Sequence, residues 1–129
     1  MPDVNRGNRP LSPFMIGPYY RPQLTSMTSI LTRITGNAML VAVLLIIWWL
    51  VAAATGPEAF ARADGFITSW FGDLVMTLSL LGLWYHSLAG VRHLIWDAGY
   101  GLDIPTAEKL GIAALAGSVV LTLITIIFV

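Results

Sequence analysis

"NAMLVAVLLIIWWLVAAAT", residues 37–55, carries no charged side chain. At 1.5 Å of rise per residue these residues, with the turn before them, make a helix long enough to cross the roughly 30 Å hydrocarbon core of a bilayer. The C-terminal stretch "LGIAALAGSVVLTLITIIFV", residues 110–129, is equally free of charge. Between them lies "DLVMTLSLLGLWYHSLAGVRHLIWDA", residues 73–98, apolar at helical length but with polar groups set into its second half. Of 129 residues, 57% are hydrophobic and only 11% charged, and mean hydropathy is +0.76. So little polar surface does not cover a soluble globule. The predicted class is an all-α integral membrane protein with three transmembrane helices.

The boundaries follow from the breakers. Prolines at 2, 10, 13, 18 and 22 prevent a long helix before residue 25. Residues 1–25 therefore form a polar N-terminal segment and residues 26–129 a membrane domain, with spans at about 29–55, 66–98 and 106–129. "GPEAFARADG" reads as a short polar connection and "GYGLDIPTAEK" as a turn, with Thr106 a candidate cap. Arg6, Arg9, Arg21, Arg33, Arg92 and Lys109 fall on one side of this layout and only Arg62 on the other. The positive-inside rule then puts the N-terminus in the cytoplasm. "MPDVNRGNRPLSP" lacks the apolar core of a signal peptide and the character of a transit sequence. A multi-pass protein of a bacterial inner membrane is expected, rather than a mitochondrial one. Trp48, Trp49 and Trp70 suit the interfacial aromatic belt at the outer side. Ala113 and Gly117 form a small-xxx-small spacing that suits helix contact.

The absence of cysteine excludes disulfides and thiolate-held metals or clusters within this chain. Net charge zero, with scattered basic residues, argues against nucleic acid as a partner. The only two histidines, His86 and His93, share the middle span. An ionisable residue deep in a membrane helix is costly and marks a functional site unless it only hydrogen-bonds to a neighbouring helix. The offset of seven residues returns His93 to nearly the face of His86, two turns nearer the cytoplasm. Gly90, one turn from His86, leaves room for a flat macrocycle. Arg92 and His93 then lie about 10 Å further on, where the propionates of a heme ligated by His86 would emerge. Two histidines about 10 Å apart on one rigid helix cannot ligate one iron from opposite faces. A bis-histidine heme must take its second ligand from another polypeptide, Met39 and Met76 being less favoured alternatives.

A second constellation is "SMTSILTRITG", residues 26–36. Ser29 and Arg33 stand at i and i+4 on one helix face, with Gly36 a turn deeper. A hydroxyl, a guanidinium and a gap suit a carbonyl-bearing headgroup arriving from lipid, the fixed charge stabilising negative charge on its oxygen. The plainer reading is that Arg33 snorkels to lipid phosphate and Ser29 caps the helix.

Two stretches, "RPLSPFMIGPYY…SILTRITG" from Arg9 to Gly36 and "HSLAGVRHLIWDAG" from His86 to Gly99, carry a resemblance. The chain resembles the cytochrome b membrane-anchor subunits of succinate dehydrogenase, respiratory complex II. The second stretch fits that family's His-x-x-x-Gly-x-Arg-His…Asp-x-Gly pattern, and the three-span layout extends the likeness over nearly the whole chain. The resemblance implies that His86 is an axial ligand of heme b, shared with a second membrane-anchor subunit that supplies the other ligand. It implies that Ser29 and Arg33 line a ubiquinone pocket completed by the partner anchor and the iron–sulfur subunit. Thr32 and Phe14 stand where many relatives have histidine. The first of these removes a contact near a heme propionate, leaving Arg92 and His93 for that task.

The expected role is a non-catalytic membrane subunit of an enzyme, anchoring a flavoprotein and an iron–sulfur subunit and passing electrons from succinate to ubiquinone. Too little chain lies outside the membrane to form a flavin or dicarboxylate pocket. The N-terminal segment is the natural dock for the iron–sulfur subunit. A fumarate reductase anchor and a heme-free structural or assembly protein are the alternatives.

Overall fold

A computed structural model describes residues 13–129. The first part of the N-terminal segment, residues 1–12 with Arg6 and Arg9, lies outside the described residues, and so does that part of the expected docking surface. The described chain is helical. A single 3-10 turn at Pro13–Met15 precedes α1 (Leu24–Thr55), α2 (Pro57–Ile67), α3 (Trp70–Asp97) and α4 (Ile104–Phe128). Of these, α1, α3 and α4 are long and apolar enough to cross a membrane.

The three spans stand as expected, but their ends move for identifiable reasons. Helix α1 starts at Leu24, more than a turn before Ser29. Gln23 N donates to Ser26 Oγ at 3.0 Å, satisfying an N–H that a helix start leaves unpaired, and Ser26 Oγ donates to the Gln23 carbonyl at 2.8 Å. At the far end Gly56, at φ 148°, breaks the helix in a conformation open to glycine.

The "GPEAFARADG" stretch is not a loop. Pro57 at the first helical position starts α2, a place where its missing N–H costs nothing. Phe60, Ala63 and Ile67 recur at helical spacing, and Ala63 is fully buried. Trp49 Nε1 donates to Asp64 Oδ1 at 3.0 Å, and the Trp49 and Phe60 rings lie 5.4 Å apart, so α2 folds back on the C-terminal end of α1. The charges of Glu58, Arg62 and Asp64 hide that apolar stripe from a composition-based reading.

Helix α3 begins at Trp70 rather than Phe66, because Ser69 Oγ accepts from Gly72 N at 3.2 Å. A Cβ on Gly72 would run into the carbonyl oxygens of Phe66 and Ile67, which keeps the α2–α3 corner tight. Before α4 the capping residue is Asp103, not Thr106. Its Oδ2 accepts from Thr106 N at 3.1 Å and from Thr106 Oγ1 at 2.7 Å.

Helix α3 is the central element, packed against both α1 and α4. In lipid there is little hydrophobic force between helices, so close approach of small residues decides the contact. Helix α4 meets this need with Ala107, Gly111, Ala114, Ser118 and Thr122, all buried and all on one stripe. The expected Ala113–Gly117 pair is beside this seam: Ala113 is exposed, while Gly117 meets Leu88 Cδ1 at 3.0 Å from a notional Cβ. Leu40, Val41, Leu44 and Ile47 of α1 point outward, as a lipid-facing or partner-facing surface requires.

Candidate heme and quinone site

Helix α1 carries a run of hydroxyls, Thr28, Thr32 and Thr35, on the side that meets α3. Each hydroxyl donates to a carbonyl three or four residues back in its own helix. The hydroxyl protons are therefore used internally, and what α1 offers α3 is oxygen lone pairs. Three polar side chains of α3 take them. Tyr85 Oη donates to the Thr28 carbonyl at 2.6 Å. His86 Nδ1 lies 3.0 Å from the Thr32 carbonyl and 3.3 Å from Thr35 Oγ1. Arg92 Nη1 donates to Thr28 Oγ1 at 3.0 Å.

His86 is half-buried at the α1–α3 contact, with the Nδ1–Cε1 edge of its ring against Gly36. A Cβ there would stand 3.1 Å from Cε1, 3.6 Å from Nδ1 and 4.0 Å from Nε2. Gly36 does not leave a gap for a headgroup, as its spacing from Arg33 had suggested; the imidazole fills it. Nε2 makes no hydrogen bond among the described residues. Gly90, one turn along, is exposed and has open space where its Cβ would be.

Ser29 and Arg33 are exposed on α1 and share a face that adjoins Gly36. Ser29 stands more than a turn inside the helix, so it is not a cap.

His93 and Arg92 part company. His93 is exposed, its ring edge-on to Trp96 at 5.1 Å. Arg92 is 3% exposed and turns to the α1–α4 side, its guanidinium 4.7 Å above the Trp96 ring and its Nε without a partner among the described residues. Gly111 makes room for it: a Cβ there would lie 3.1 Å from Arg92 Nη1 and 3.2 Å from Thr28 Cγ2. The sequence showed these residues but not the Arg92–Thr28 bond. Threonines four and three apart are common in membrane helices, and nothing in their spacing names a partner on another helix.

Residues 5–125 match the family model described as the succinate dehydrogenase/fumarate reductase transmembrane subunit. The chain belongs to that family. It is 57% identical over 127 residues to the succinate dehydrogenase cytochrome b556 subunit of Paracoccus denitrificans, covering 98% of this chain and 96% of that one. The b556 subunit of Rickettsia conorii is 35% identical, with 90% and 89% covered. The cytochrome b560 subunit of Marchantia polymorpha is 37% identical, with 93% and 90% covered. As a member of this transmembrane-subunit family, the chain has its three apolar helices as membrane spans.

Proposed function

We propose that this chain is the cytochrome b subunit of a bacterial succinate dehydrogenase, holding one face of heme b through His86 and forming part of the ubiquinone site with Ser29 and Arg33. The observation that carries the reading is the engagement of His86. Its Nδ1 is occupied by acceptors on α1 while Nε2 is left free, the arrangement of a metal-ligating imidazole oriented by a hydrogen bond on its other nitrogen. The open surface at Gly90 suits a flat macrocycle. When bound, heme b supplies a one-electron carrier within the membrane.

The second axial ligand comes from a second membrane-anchor subunit, because His93 stands about 10 Å from His86 along the same helix. Of the two residues assigned to the propionate region, His93 is on the open side with His86 and Gly90, and Arg92 contributes its buried charge from behind. Ser29 and Arg33 act as donors to a quinone carbonyl from the exposed face of α1. The flavoprotein and iron–sulfur subunits carry the succinate chemistry, and the N-terminal segment docks the latter. The membrane is the bacterial inner membrane, which the Paracoccus and Rickettsia relatives support, and the distribution of Lys and Arg near the helix ends supports a cytoplasmic N-terminus.

The test is a reduced-minus-oxidised spectrum of the purified complex carrying His86→Ala or His93→Ala. His86→Ala should reduce or abolish the low-spin b-type signal, and His93→Ala should do less. An unchanged signal in His86→Ala with loss in His93→Ala would reverse the two assignments. A complex devoid of heme would leave a structural role for both histidines.

A further inference from the structure

Resting on that reading of His86, we propose that Thr35 and Gly36 are its positioning residues: the Thr35 hydroxyl, with the Thr32 carbonyl, sets the imidazole tautomer, and Gly36 sets the ring plane.

The tautomer follows from the protons. Thr35 Oγ1 spends its own proton on the helix backbone, 2.8 Å from the Leu31 carbonyl and 3.1 Å from that of Thr32. Toward His86 it can only accept. The Thr32 carbonyl can also only accept. Both face Nδ1, at 3.3 Å and 3.0 Å, so Nδ1 must carry the hydrogen and share it between them. In a neutral imidazole that leaves the lone pair on Nε2. Two acceptors on one N–H also draw the ring toward imidazolate character, which makes Nε2 a stronger donor to a metal.

The ring plane follows from Gly36. A side chain there would sit 3.1 Å from Cε1, closer than ordinary carbon contact. Only glycine lets the Nδ1–Cε1 edge of the ring come this close to α1 while Nδ1 reaches both oxygens. The device needs a hydroxyl at 35 and no Cβ at 36, and "TG" supplies them in adjacent positions.

The test uses the intact complex, with the heme midpoint potential and the ferric EPR g-values as readouts. Thr35→Val keeps the shape and removes one acceptor. Loss of one neutral hydrogen bond should shift the ferric/ferrous equilibrium toward ferrous by up to about tenfold, about 59 mV upward for a one-electron couple. Thr35→Ser should restore the wild-type potential. Gly36→Ala should alter the EPR g-values by turning the ring; if that variant fails to assemble, the Thr35→Val and Thr35→Ser pair decides. A His86-dependent heme with wild-type potential and g-values in Thr35→Val and Gly36→Ala overturns this inference and leaves the ligand assignment standing. A heme signal that survives His86→Ala unchanged overturns the ligand assignment itself, and the inference with it.

Discussion

Arg92 on α3 donates from Nη1 to the hydroxyl of Thr28 on α1 across 3.0 Å, and both residues are buried, Thr28 completely. The bond ties the two helices near the end of α3 that carries His93. A guanidinium cannot shed its charge in a protein, so its partners there are few and matter individually. Trp96 covers one face of the guanidinium, and Gly111 of α4 admits it.

Thr28→Val should therefore destabilise the complex by about 1.5–3 kcal/mol, the usual worth of a hydrogen bond to a charged group, while Thr28→Ser should stay near wild type. Thermal unfolding of the detergent-purified complex, followed by loss of the heme band, measures both. Equal midpoints for Val and Ser would mean that the hydroxyl does not hold the guanidinium.

Arg33 separates a quinone site from a lipid anchor. Arg33→Leu should lower succinate:ubiquinone activity at least ~10-fold, from the loss of one charge-assisted hydrogen bond, while succinate oxidation by an acceptor acting upstream survives. Ser29→Ala should act in the same direction more mildly. Lysine snorkels as well as arginine but lacks its planar fork, so Arg33→Lys should restore only part of the activity. Full activity in both Arg33 variants, on assembled and heme-replete complex, would confine Arg33 to anchoring.

The start of α4 should respond to acid. The Thr106 hydroxyl, and after it the Thr106 amide, hold the Asp103 carboxyl below the ordinary carboxylate range. A folded-state value below the unfolded one means that this stabilisation is complete above about pH 3.9. It is lost as pH falls through the folded value. Amide-exchange protection in the first turn of α4, corrected for intrinsic rates, should drop over that interval in the wild type and show no such step in Asp103→Asn. An identical step in both would place the titrating group elsewhere.

The membrane class and the three apolar spans could be read from the chain, and the candidate site residues placed on their helix faces, because these depend on local quantities. An uncharged run of helical length has one low-energy place in a bilayer, and residues at i and i+4 share a face whatever surrounds them. Ser29 beside Arg33, and Gly90 and His93 on the side of His86, needed nothing more. What the linear pattern could not show depends on which face meets which. Gly36 looked like a gap beside Arg33 and is a seat for His86, because the crossing of α1 and α3 brings residues fifty apart into contact. The small-residue seam of α4 runs through Gly111 and Ala114 rather than Ala113, with Gly117 at its edge against Leu88, since packing against α3 selects the face. Helix α2 was hidden by its charges until Trp49 and Asp64 were seen to join it to α1. Arg92, adjacent to His93 in sequence, turns about 100° away from it on the helix. Only the presence of Thr28 and Trp96 on that side decides that its charge is buried.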